Sequence, residues 1–129
     1  MKYLFLLIST FTFAQQTEFV DFKSVLGKIT IDPITKTVSG NVTYDFQVLK
    51  PIDTLIIDAQ NMMFSDLKLN GKFVDYLNTQ KQLQLLFPFK KGKNKLIFQY
   101  SATPKQALYF VGSEADDNLQ IWTQGQGKY

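Results

Sequence analysis

"VSGNVTYDFQVL", residues 38–49, puts Val38, Gly40, Val42, Tyr44, Phe46 and Val48 at alternate positions, with Ser39, Asn41, Thr43, Asp45 and Gln47 between them. Successive side chains of a strand point to opposite faces of a sheet, so the stretch reads as a strand with one buried face and one wet face. Upstream, Ile29 and Ile31 alternate with Lys28, Thr30 and Asp32. "DPITKT" (32–37) joins the two stretches with Asp-Pro turn chemistry. The pair is expected to form an antiparallel hairpin.

The period of two continues along the chain. "DTLIIDA" (53–59) is a short apolar run, expected as a central strand that begins after Pro51. Asn70-Gly71 divides Leu67 and Leu69 from Phe73, and Asn-Gly between alternating runs signals a tight hairpin. "QLQLLF" (82–87) is expected to stop at Pro88, and "KKGKNK" (90–95) to form a glycine-containing turn. "LIFQYSA" (96–102) puts Leu96, Phe98 and Tyr100 on one face and ends before Pro104. A polar loop, "VGSEADDN" (111–118), precedes a last strand, "LQIWT", which ought to be interior. No helical period holds over a useful window. Seven to nine short strands predict an all-β fold, an antiparallel β-sandwich or saddle-like open sheet.

Residues 1–14 read differently. Met1-Lys2 is a positive start, "YLFLLISTFTF" (3–13) an apolar stretch, and Thr12 and Ala14 are small residues at cleavage positions. That order predicts a cleaved secretory signal, leaving 15–129 as one exported domain, periplasmic or extracellular. The alternative is a buried first strand. Eleven apolar-leaning residues are too few for a membrane span, which needs about 20. No cysteine follows to carry a lipid, so no stable membrane anchor is expected.

Composition narrows the chemistry. The chain has no histidine and no cysteine. This removes the usual zinc ligands, the commonest general base and any Cys–His or Ser–His pair. The 14 basic residues are all lysine, and against 11 acids they leave a net charge of only +3. Without arginine or a clustered basic face, no nucleic-acid partner is expected. Asp58, Asp66 and Asp75 are spaced for strand ends and turns, not as an acid–base pair. No catalytic residue, metal ligand or cofactor is assigned to this chain, which alone should be inactive.

The remaining features each have two explanations. The lysines of 90–95 suit an anionic patch or, more simply, a solvated turn that deters edge pairing. Glu114, Asp116 and Asp117 could hold calcium, but they lack the EF-hand alternation and suit an ordinary acidic loop. Tyr109, Phe110 and Trp122 suit a sugar platform or, more simply, core packing. Gln124 and Gln126, at i and i+2 of an extended segment, point the same way, so their carbonyl oxygens can converge on a cation such as a free α-ammonium. Gly125 between them permits close backbone approach to a ligand. An abundant polar loop would look the same.

In order, "ITIDPITKTVSGNVTYDFQVL", "LIIDAQNM", "LKLNGK", "LIFQYSATP", "ALYF" and "QIWTQGQ" resemble the N-terminal domain of the zinc aminopeptidase family typified by aminopeptidase N. The resemblance covers residues 20–129 and is nearest to exported members found in the Bacteroidetes. It implies a β-rich domain laid over a thermolysin-like catalytic metallopeptidase domain. That second domain carries HExxH and the zinc, and this chain stops before it. It also implies that Gln124 and Gln126 belong to the loop that meets the free N-terminus of a peptide, with Gln126 where many members have glutamate. A neutral amide anchors the ammonium less strongly than a carboxylate, since charge-assisted hydrogen bonds are roughly twice as strong. The function implied is substrate recognition and scaffolding within a zinc-dependent aminopeptidase. The alternative is a freestanding exported β-sandwich that binds polysaccharide or protein.

Overall fold

The computed structural model describes residues 16–124. The expected signal, residues 1–14, lies outside them. Ten strands are present among the described residues: β1 (Val20–Asp32), β2 (Thr37–Val48), β3 (Ile52–Asp58), β4 (Met62–Leu69) and β5 (Lys72–Phe73). Then follow β6 (Tyr76–Asn78), β7 (Gln82–Phe89), β8 (Gly92–Ala102), β9 (Leu108–Val111) and β10 (Gln120–Thr123). All pairing is antiparallel. The count exceeds seven to nine because β5 and β6 are too short to show a period.

The strands form a five-stranded sheet, β1-β2-β8-β4-β5, a three-stranded sheet, β3-β7-β6, and a separate β9–β10 pair. The β1–β2 hairpin is as expected, from Val20 opposite Val48 to Asp32 opposite Thr37. Its turn is held by the Asp32 carboxylate, which accepts from the N–H of Ile34 at 2.9 Å and of Thr35 at 3.1 Å. The Asn70-Gly71 hairpin also forms, with φ of +52° and +81° at its two central residues, as a type I′ turn requires.

The core lies between the two sheets. Phe46, Val48, Leu96, Leu67 and Leu69 of the large sheet meet Leu55, Leu83, Leu85 and Phe89 of the small one. Phe46 and Phe89 rings pack edge to face at 6.0 Å. The alternation in 38–48 is confirmed: Phe46 and Val48 are buried, and Val42 and Tyr44 pack against the core.

Several expectations need correction. β3 is not central; it edges the small sheet, and β7 is the middle strand. Its apolar run misled because Ile56 points outward and stays exposed. Nor does Pro88 end its strand: β7 continues to Phe89, and Phe87 and Pro88 together oppose Asp53 in a bulge. The missing N–H is tolerated at such an irregularity. The glycine turn at 90–95 is mostly strand, since β8 starts at Gly92, and Lys90-Lys91 carries the chain from one sheet to the other.

Ile29 and Ile31 remain exposed, although they share a face with Gly40 and Val38. The reason is length. At 13 residues β1 runs roughly 40 Å, whereas the 8 residues of β7 run roughly 27 Å. The small sheet covers one end of the large sheet and leaves the other open.

A side chain closes the free edge of β3. The Gln16 amide donates to the Ile56 carbonyl and accepts from the Ile56 N–H, both at 2.7 Å. It occupies the free edge of β3 as a neighbouring strand would. Gln16→Ala should cost about 1 kcal/mol, the net worth of such bonds in contact with water, and lower the melting temperature by several degrees. A thermal melt checks it.

The turn at Asp32 makes a pH prediction. Its carboxyl is held below the ordinary carboxylate range by hydrogen bonds, from the Thr35 side chain first, then the backbone of Thr35 and of Ile34. A depressed carboxyl contributes stability above its unfolded-state value and loses it as pH falls through the folded-state value. Acid should therefore loosen the turn. Amide exchange at Ile34 and Thr35, once corrected for intrinsic rates, should rise on acidification toward the level of Asp32→Ala, and that variant should show little further pH response.

Candidate functional site

Of the expected site, Gln124 lies within the described residues, just after the β9–β10 hairpin. Tyr109 opposes Trp122 and Phe110 opposes Ile121. A loop that includes a 3-10 turn, Glu114–Asp116, joins the two strands. It is closed by Asn118, whose side-chain oxygen accepts from the Ser113 N–H at 2.8 Å. Gly112 takes φ +87° there, and a Cβ on it would collide with Asn118. No group of three or more His, Cys, Asp or Glu side chains suited to a metal ion occurs among the described residues.

Gln124 follows β10 directly. Its backbone N–H donates to the Ala107 carbonyl at 3.0 Å, so the residue after the strand is tied to the residue before β9. Its side chain is exposed. Ala107 adopts φ +68°, a left-handed conformation that non-glycine residues rarely take. No sequence signal pointed to Ala107. Gly125 and Gln126 lie outside the described residues.

β10 was expected to be interior, and its aromatics to pack in a core. Neither holds in this chain. All four β10 residues are exposed, and Trp122 is 44% accessible. The hairpin shares no hydrogen-bonded edge with either sheet. Trp122 stacks instead on Tyr109, with ring centroids 4.4 Å apart and planes 20° from parallel. Ile121 and Val111 are exposed as well. The pattern read as a core strand because alternating apolar residues signify a face to be covered, not that the cover is present.

Beside the hairpin is a cleft of about 460 Å³. Leu108 and Gln106 form one wall, and Val38, Met62, Tyr100 and Ala102 at the open end of the large sheet form the other. No helix among the described residues is long and apolar enough to cross a membrane.

The fold recurs in parts of solved enzymes. The fold is similar to part of an M1 zinc metallopeptidase. A mutant M1 zinc metallopeptidase from Deinococcus radiodurans, bound to a Tyr-Ser-Ala substrate, matches 68% of this chain with a TM-score of 0.57 and 20% identity. Leukotriene A4 hydrolase from Saccharomyces cerevisiae matches 73% of it with a TM-score of 0.61 and 15% identity. A two-domain M1 zinc metallopeptidase mutant bound to L-arginine matches 74%, at a TM-score of 0.56. The matched part spans only 21%, 17% and 22% of those chains, respectively. No protein-family model matches the sequence, and no curated protein shows significant similarity to it.

Proposed function

We propose that this chain is the N-terminal β-domain of an exported zinc-dependent aminopeptidase, serving as scaffold and substrate-recognition domain beside a catalytic metallopeptidase domain. The match in fold to a fraction of M1 zinc metallopeptidases carries this reading. Apolar surface at the open end of the large sheet, Val25, Ile29 and Ile31, and on the hairpin, Ile121 and Trp122, supports it. Exposed apolar patches of this kind are surfaces for another protein body. Zinc would belong to the catalytic domain, because this chain has neither histidine nor cysteine. Export rests on the order of residues 1–14.

Within this reading, Gln124, Gly125 and Gln126 meet the peptide's free amino terminus. The anchored backbone and exposed side chain of Gln124 suit that role. Two amide oxygens would accept from the α-ammonium, and Gly125 would allow the ligand close. Gripping that ammonium is what would restrict such an enzyme to chain ends.

The test is a titration of the isotope-labelled chain with Tyr-Ser-Ala and with its N-acetyl form. Shifts at the Gln124 amide with the free-amine peptide alone are expected. Equal shifts with both, or none with either, would overturn the assignment. Mixed with zinc and an aminoacyl anilide, the purified chain should show no turnover. Activity that survives rigorous purification would defeat the scaffold reading.

One observation favours a second reading. Trp122 is exposed and stacked on Tyr109, which suits a freestanding module that binds polysaccharide. Glycan-array binding lost in Trp122→Ala would support it.

A further inference from the structure

Unpaired strand edges are templates for further pairing, and folded proteins blunt them. Most edges here are blunted. Gln16 fills the edge of β3. On β4, the Asn78 side-chain amide donates to the Met62 carbonyl at 2.7 Å and the Tyr76 hydroxyl to the Phe64 carbonyl at 3.2 Å. β5, β6, β9 and β10 are four residues or shorter. β1 is the exception. It is the longest strand and the outer strand of its sheet. Among the described residues, no group other than its neighbour β2 hydrogen-bonds to the backbone of residues 24–31. One bulge, at Lys23, interrupts it near its start. Beyond that bulge each face of the edge carries an exposed apolar side chain, Leu26 (73% accessible) on one and Val25 (62%) and Ile29 (65%) on the other.

We infer that β1 pairs antiparallel with β1 of a second copy of this chain, joining two five-stranded sheets across a twofold axis at Gly27. Among registers centred on residues 26–28, in the middle of the open stretch, the sequence favours this one. A twofold perpendicular to the sheet keeps each residue on its own face, so only registers centred on a residue are allowed. Centring on Lys28 sets two ammonium groups directly opposite each other, which is unfavourable. Centring on Leu26 runs into the Lys23 bulge after residues 24–28. Centring on Gly27 pairs residues 24–30 without interruption. Val25 then faces Ile29 of the second copy, twice, as branched cross-strand pairs. Leu26 faces Lys28, twice, where the lysine stem can cover the leucine while its ammonium stays in water. The two Lys28 side chains lie diagonal to each other, and Ser24 faces Thr30. Neither side chain nor proline obstructs the centre.

Sedimentation and light scattering of the purified chain over a range of concentrations test this. The mass should rise reversibly from monomer to dimer. Leu26→Lys, which sets lysine opposite Lys28, should raise the dissociation constant by about tenfold or more. Leu26→Glu, equally polar but of opposite sign, should keep or tighten the dimer. A general loss of hydrophobic stickiness would weaken both variants alike. The chain has no cysteine, so introduced ones report cleanly. Gly27→Cys should cross-link to its twin on mild oxidation, because opposed Cα atoms of antiparallel strands lie about 4.5–5.5 Å apart, within disulfide reach. Thr30→Cys should not. Circular dichroism confirms that each variant is folded; the Leu26 position, largely in water, should tolerate either charge. A monomer at every soluble concentration would overturn the proposal, as would equal behaviour of Leu26→Lys and Leu26→Glu or equal cross-linking at Gly27 and Thr30. Neither readout uses peptide or zinc, so its outcome is separable from the metallopeptidase reading.

Discussion

Phe46→Ala should lower the free energy of unfolding by about 3–5 kcal/mol, the usual cost of removing a buried phenylalanine. Phe46 is 2% accessible and belongs to the core shared by the two sheets. Its ring lies 5.6 Å from that of Phe22 on β1 and 6.0 Å from that of Phe89 on β7. Truncation therefore leaves a void touching both sheets, with rigid neighbours poorly able to fill it. A domain of this size has about 5–15 kcal/mol in total, so the loss is a large share of its stability. Urea denaturation followed by circular dichroism gives the number. A loss under about 1 kcal/mol would mean that the two sheets do not share this core.

Gly40→Ala should cost about 3 kcal/mol, at the upper end for overpacking. Gly40 sits in β2 opposite Ile29 of β1 and Tyr100 of β8. A Cβ there would overlap the Lys28 carbonyl oxygen and lie 3.3 Å from Cε1 of Tyr100. A ring edge can tilt aside; a backbone carbonyl cannot move without displacing its strand. The damage should therefore appear as faster amide exchange along β1. Gly27→Ala is the matched control. Its added carbon would lie 3.8 Å from the Asn41 carbonyl oxygen, an ordinary contact, and replacing a strand glycine by alanine there should be neutral or gain about 0.5–1 kcal/mol. If both glycines accept alanine equally, β1 does not approach β2 as closely as described.

These two positions also show what a sequence can reveal. The alternation around Phe46 disclosed its strand, its face and its burial, since a period of two is a local property. Asn70-Gly71 disclosed its hairpin for the same reason: the positive φ values are a demand on those two residues alone. Sheet membership was not local. "DTLIIDA" reads the same at an edge or in the middle, and only its pairing with β7 and the Gln16 amide on its other side decide the matter. Likewise nothing in "ITID" says that the opposing sheet is too short to reach it. At the candidate site, the amides and glycines of 124–127 were legible as chemistry. The tie from Gln124 to Ala107, across the full length of the hairpin and its loop, was not.

The seam between β2 and β8 has a kinetic consequence. Its paired residues run from Val48 with Gly92 to Val38 with Ala102, so its contacts bridge a large part of the chain. Bringing such distant segments together incurs loop-closure entropy before any contact rewards it, and folds dominated by distant pairings acquire their structure in milliseconds to seconds. The first hairpin can form early, but its apolar face stays in water until the distant β8 arrives.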